Sequence, residues 1–183
     1  TQTEPWVAFD PINEQYLIVY EEGESPANGP FDIYVGLYDS NLNLIGPGAG
    51  STPIKLADGT STTDYVFPCV SFSEEAQRYL ITWNDADISS GQWHGNVWGT
   101  ILDASGSILE PTFQIRQGQF VRTDSVPYLS SSYLVSYDCG TKIWGKIIST
   151  TGDIFGDEIQ LSASTAAVAD WGNLAVGNGL IFV

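Results

Sequence analysis

The chain has no methionine, one histidine and only two cysteines. It carries six Lys plus Arg against 22 Asp plus Glu, a formal net charge of −16. So few cations argue against nucleic acid as a partner, because neutralising phosphates supplies most of that affinity. The same sign disfavours adsorption to an anionic membrane surface. No apolar run is long enough to cross a bilayer as a helix, so membrane insertion is not expected. His94 is the only histidine. A Ser/His/Asp triad would have to use it, yet no nucleophile elbow accompanies it, and a surface residue is the simpler reading. Phosphate-cradling glycine loops and the H-E-x-x-H helix are also missing. A chain without Met even at position 1 reads as a processed product or a fragment. Its acidic surface suits an exported protein, secreted or held at the cell surface.

Cys69 and Cys139 have neither metal-ligand spacing nor a C-x-x-C arrangement. In an oxidising compartment they could form one disulfide, and two buried thiols fit equally well. Sustained helical periodicity is missing too. Only Ser162–Ala169 tolerates a helix, and it is short enough to be a loop.

What the chain does have is alternation, with 43% hydrophobic and 13% aromatic residues. One hairpin pattern occurs three times, at Phe31–Ile45, Trp93–Leu109 and Thr141–Phe155. A strand-like run precedes each: Tyr16–Tyr20, Arg78–Trp83 and Tyr133–Tyr137. Short opening strands come before those, headed by Pro5, Pro68 and Pro127, and closing strands follow at Pro53–Leu56, Thr112–Ile115 and Ile159–Leu161. The breaker-rich runs Glu21–Pro30, Gly46–Thr52 and Asn84–Gln92 read as loops. Gly36, Gly99 and Gly145 read as equivalent mid-strand glycines that let a neighbour approach closely, with Tyr34, Trp98 and Trp144 as the candidate rings.

The expectation is a single all-β array of four-stranded antiparallel blades of the β-propeller type. Its units cover about 5–57, 64–116 and 124–162, with a half unit at 170–183. The runs Tyr79–Trp83, Val97–Ile101 and Asp103–Gly106 resemble a repeat of secreted bacterial and archaeal β-propeller-like proteins. The resemblance implies an exported propeller-like fold with rings of several blades. It implies no particular activity and brings no functional residues.

Three and a half blades cannot close a ring of ordinary size, and an open array leaves strand edges that recruit other chains. The first functional expectation is therefore a non-catalytic extracellular assembly subunit, a homo-oligomer or polymer. Its terminal half blade, through Asn173, Leu174, Val176, Leu180 and Phe182, would dock on a neighbouring chain. The second is a module binding carbohydrate or another surface ligand. Trp93 and Trp171 lie outside the strict repeat and are the stacking candidates. Calcium could assist at Asn84, Asp85 and Asp87, which gather side-chain oxygens in one loop. The third is a glycoside-active enzyme. With 22 acids a carboxylate pair is inevitable and uninformative. A sialidase-like propeller would need an arginine cluster, and only Arg78, Arg116 and Arg122 are available.

Overall fold

The computed structural model describes residues 1–23, 30–47, 52–87, 95–120, 122–139, 141–162, 174–177 and 180–182. For Phe120, Cys139, 176–177 and 180–182 it describes the backbone alone. Every regular element among them is a strand, and the strands form antiparallel sheets in chain order. The first sheet holds β1 (Gln2–Asp10), β2 (Gln15–Gly23) and β3 (Phe31–Asp39), and β3 shares its far edge between β4 (Leu44–Gly46) and β5 (Ile54–Ala57). The second runs β6 (Thr63–Ser73), β7 (Arg78–Asp87), β8 (Gly95–Asp103), β9 (Ile108–Phe120). The third runs β10 (Thr123–Tyr128), β11 (Ser132–Cys139), β12 (Lys142–Ser149), β13 (Ile154–Gln160). A two-stranded piece, β14 (Ala175–Gly177) with β15 (Leu180–Phe182), follows. Among the described residues no strand of the later sheets pairs with the first, so the array is unclosed.

The sheets pack face to face, which is why β-branched and aromatic residues dominate their strands. Leu17, Val19, Ile33, Val35 and Leu37 of the first sheet meet Val70, Phe72, Tyr79, Ile81 and Trp83 of the second. Leu80, Val97, Ile101 and Ile115 on its other face meet Tyr133, Val135, Tyr137 and Ile148 of the third. The leading strands lie side by side, β1 against β6, β6 against β10 and β10 against β14.

The hairpin turns repeat one hydrogen-bond pattern. Asp39 Oδ1 accepts the N–H groups of Asn41 and Asn43, and Asp103 Oδ1 accepts those of Ser105 and Ser107. Ser149 Oγ accepts those of Thr151 and Asp153. One side-chain oxygen thus caps each turn. The fourth turn residue is left-handed in all three: Leu42 at φ 63°, Gly106 at 82° and Gly152 at 88°.

Several expectations change. Pro5 and Pro68 do not begin strands but sit at bulges inside β1 and β6, after Glu4 (φ 47°) and Phe67 (φ 55°). A bulge leaves one residue out of the ladder, so the missing proline N–H costs little there. Pro127 is not their equivalent: it pairs with Tyr133 as Phe9 pairs with Tyr16 and Phe72 with Tyr79. Gly36 is not equivalent to Gly99 and Gly145. It lies three residues before the turn at Asp39, whereas Gly99 and Gly145 lie four before Asp103 and Ser149. One residue of slip reverses the face, and the register match for Gly99 is Val35. A Cβ at Gly99 would meet Ile115 Cδ1 at 2.9 Å, and one at Gly145 would meet Leu161 Cδ1 at 2.9 Å. The close cross-strand neighbours are thus Ile115 and the Phe113 ring at Gly99, and Leu161 and Leu134 at Gly145. The closing strand Thr112–Ile115 is continuous with the hairpin in β9, and Glu21, Glu22 and Asn84–Asp87 belong to strands, not loops.

Candidate functional site: a bare sheet face and a cavity at the leading strands

Cross-strand register aligns the first two sheets residue by residue. Val7 pairs with Ile18 and Phe9 with Tyr16, and Val70 pairs with Ile81 and Phe72 with Tyr79. The second set packs on the first sheet, leaving Val70 5% and Phe72 8% exposed, with Tyr79, Ile81 and Trp83 fully buried. The first set has nothing in front of it among the described residues. Val7 is 56% and Phe9 47% exposed, and Tyr16, Ile18 and Tyr20 are half-buried. The bare face is aromatic, with Phe9 tilted on Tyr16 at 4.9 Å and Tyr20 stacked on Tyr34 at 5.8 Å. Four side chains are thus identical in kind on a covered face and on a bare one.

The covered interfaces carry polar clasps as well as apolar contacts. Gln15 Nε2 donates to the Ala104 carbonyl of the second sheet, and Arg78 Nη1 donates to the Thr150 carbonyl of the third at 2.6 Å. Glu21 accepts the Phe67 N–H at 2.6 Å, and Asp64 accepts that of Phe31 at 2.8 Å. Burial pushes the Glu21 and Asp64 carboxyls above their ordinary values, outweighing these hydrogen bonds. Asp124 joins three units. It accepts from Cys69 Sγ at 3.2 Å and from the Leu174 N–H at 2.6 Å.

A cavity of about 160 Å³ opens where the bulged leading strands meet, between Glu4 and Trp6 of β1, Phe67 of β6 and Asp124 of β10. Arg122, just before β10, and Asp138 of β11 also line it. The Arg122 guanidinium lies over the Phe67 ring, 4.6 Å from its centroid, and its backbone N–H donates to Asp138 Oδ1. Trp6 is 39% exposed, and Asp124 and Asp138 are buried.

The sequence-based candidates fare differently. Trp93, His94, Trp171 and Asn173 lie outside the described residues. Asn84, Asp85 and Asp87 do not converge as loop ligands would. They lie on β7, where alternation puts Asn84 on the face of Leu80 and Thr82 and the two aspartates on the other. Asp85 accepts from the Asn96 N–H, Asn96 Nδ2 and Trp98 Nε1 at 2.5, 2.8 and 2.9 Å. No group of three His, Cys, Asp or Glu suited to a metal ion is found among the described residues. Cys69 is a buried free thiol rather than half of a disulfide; the Cys139 side chain lies outside the described residues. Leu174 is buried, and Val176 and Leu180–Phe182 form the β14–β15 ladder. The three arginines are held by different partners: Arg78 by Thr150, Arg116 by Glu158 at 2.6 Å, and Arg122 over Phe67. The sequence reading missed Trp6, Phe67 and Arg122. The two Pro residues that follow Glu4 and Phe67 were the available signal, because each marks a bulge turned toward the cavity.

No protein-family model matches the chain, and no curated protein matches it. Among solved structures the chain is similar to the Hadza microbial sialidase Hz136, with a TM-score of 0.54 and 8% identity. The likeness covers 81% of this chain and 33% of that one, so the chain spans about a third of that structure's length. At this identity the likeness bears on the fold.

Proposed function

We propose that the three sheets are blades of an incomplete propeller, and that the chain is a non-catalytic assembly subunit whose bare first blade receives a second copy head to tail. One observation carries the reading: Val7, Phe9, Tyr16 and Ile18 stand bare at the register positions where Val70, Phe72, Tyr79 and Ile81 are covered. A face that repeats a buried face is suited to the surface that buries it. For the second sheet that surface is the first sheet's inner face, which includes Leu17 and Val19. Their register positions recur at the other end of the chain. Leu17 pairs with Ala8 and Val19 with Trp6, next to the Val7–Ile18 pair; Leu180 and Phe182 hold the same places beside Val176–Ile181. The half blade therefore offers the first two strands of a covering sheet. Exposed aromatic and β-branched surface of this kind marks an interaction site, and head-to-tail contacts generate rings or filaments. An extracellular or cell-surface setting belongs to the same reading and rests on the −16 charge.

Sedimentation velocity and negative-stain microscopy test it directly. Rings or filaments are expected, and they dissolve to folded monomers with Phe9→Glu plus Ile18→Lys, or on deleting 173–183. Ile12→Glu, at an exposed turn, leaves them intact. A monomer at every accessible concentration, or assemblies indifferent to both changes, would sink the reading. Release of sugar from a sialoside or another glycoside by the chain alone would overturn its non-catalytic part.

A further inference from the structure

The cavity between the leading strands is a site that the assembly reading does not use, and its wall is chemically mixed. Trp6, 39% exposed, is one of its lining residues. The Arg122 guanidinium, 4.6 Å from the Phe67 ring centroid, brings N–H donors to one side. Glu4 and Asp138 line the same cavity, together with Asp124, whose carboxylate is also bound by Cys69, Ser125 and Leu174. Two left-handed non-glycine residues, Glu4 at φ 47° and Phe67 at φ 55°, line it as well. Such conformations recur at ligand sites.

We infer that this cavity binds the ring of a neutral pyranose. Charge narrows the ligand class. Three carboxylates against one guanidinium repel an anion, and the Trp6 and Phe67 rings make part of the wall apolar, which suits a ligand without formal charge. A neutral ligand rich in hydroxyls satisfies both kinds of wall, because each hydroxyl can donate to a carboxylate and accept from an N–H. The apolar C–H face of a pyranose then lies on the Trp6 indole, which offers a flat surface with a polar edge. The volume of about 160 Å³ suits one ring rather than a long chain. The site draws on all three sheets, so it exists only when β1, β6 and β10 are packed together.

The test is titration of intrinsic tryptophan fluorescence and calorimetry with methyl glycosides of glucose, galactose, mannose and N-acetylglucosamine. Methyl glucuronide serves as the anionic control and methyl glucosaminide as the cationic one. At least one neutral glycoside is expected to bind at millimolar concentration or tighter. Trp6→Ala and Arg122→Gln should each weaken it about tenfold. Trp6→Phe, which keeps a platform, should recover most of the affinity. Unchanged thermal melting and unchanged assembly separate a lost ligand contact from a lost fold. No binding by any neutral glycoside, preference for a charged control, or affinity indifferent to both variants would overturn the inference.

Discussion

Arg78 spans the gap between the second and third sheets and donates to the Thr150 carbonyl at 2.6 Å. Gln15, one residue before Tyr16 as Arg78 is before Tyr79, makes the matching bond to Ala104 across the previous gap. Thr150 and Ala104 each follow the residue that opens a hairpin turn, so one clasp is built twice. The third sheet ends the series: its equivalent, Ser132, is too short to cross and bonds back to the Tyr128 carbonyl.

Removing this clasp should cost stability without altering the fold. Arg78→Ala is expected to lower the urea midpoint, with a loss of about 1–3 kcal/mol from a charge-assisted hydrogen bond and its packing. Arg78→Gln should keep part of it, because an amide serves at Gln15. Equal midpoints for Arg78→Ala and wild type would show that the clasp contributes nothing.

The buried carboxyls make a prediction about pH. Burial raises Glu21, against the bonds from Phe67 and Thr3, and raises Asp64, against the bond from Phe31. An acid whose folded pKa exceeds its unfolded one keeps its proton longer in the folded state. Stability is then greatest below the unfolded value and falls as pH rises through the window up to the folded value. Asp39 runs the other way, lowered chiefly by its bond from the Asn43 side chain. Burial pushes Glu158 up, yet its bonds from Arg116 and Tyr137 bring it down overall. The stability these two add is present above their unfolded values and is lost as pH falls through the folded ones. The urea midpoint should therefore rise as pH falls toward the ordinary carboxylate range near about pH 4, then decline below it. Glu21→Gln should flatten the rise, because glutamine accepts the Phe67 N–H without titrating. A slope equal to that of wild type refutes the assignment.

Leu42 occupies a left-handed position that Gly106 and Gly152 fill in the other turns, and its side chain is exposed. Leu42→Gly should stabilise the chain by about 0.5–1 kcal/mol through relief of backbone strain. Gly106→Ala and Gly152→Ala should destabilise by a similar amount or more. Thermal melts of the three variants decide the matter; a destabilised Leu42→Gly would contradict it.

The Cys69 thiol is pushed well above the ordinary thiol range by burial first and then by the adjacent Asp124 charge. Only a thiolate alkylates at a useful rate. Cys69 should stay unlabelled by iodoacetamide in the native protein and react in step with global unfolding. Mass spectrometry of peptides after timed labelling reads this directly, and fast native labelling would show that Cys69 is accessible.

Much of the architecture is written in the chain itself. The period-2 runs set the strands, and the Asp39, Asp103 and Ser149 turns set the hairpins, because both depend on neighbours within a few residues. Even the slip at Gly36 is countable from its distance to Asp39. Interactions across sheets could not be read this way. Asn84–Asp87 looked like a ligand-rich loop because acids break strands in general, yet Asp85 is held in β7 by Asn96 and Trp98. Pro5 and Pro68 looked like strand starts, yet their bulges turn Glu4 and Phe67 toward a shared cavity. The bare face has no sequence signature of its own: Val7 and Phe9 are the same residue types as Val70 and Phe72. Sequence determines which side chains seek cover, because hydrophobicity is a property of each residue. Which of them find it was decided only by the tertiary structure, because cover is a property of the sheet in front.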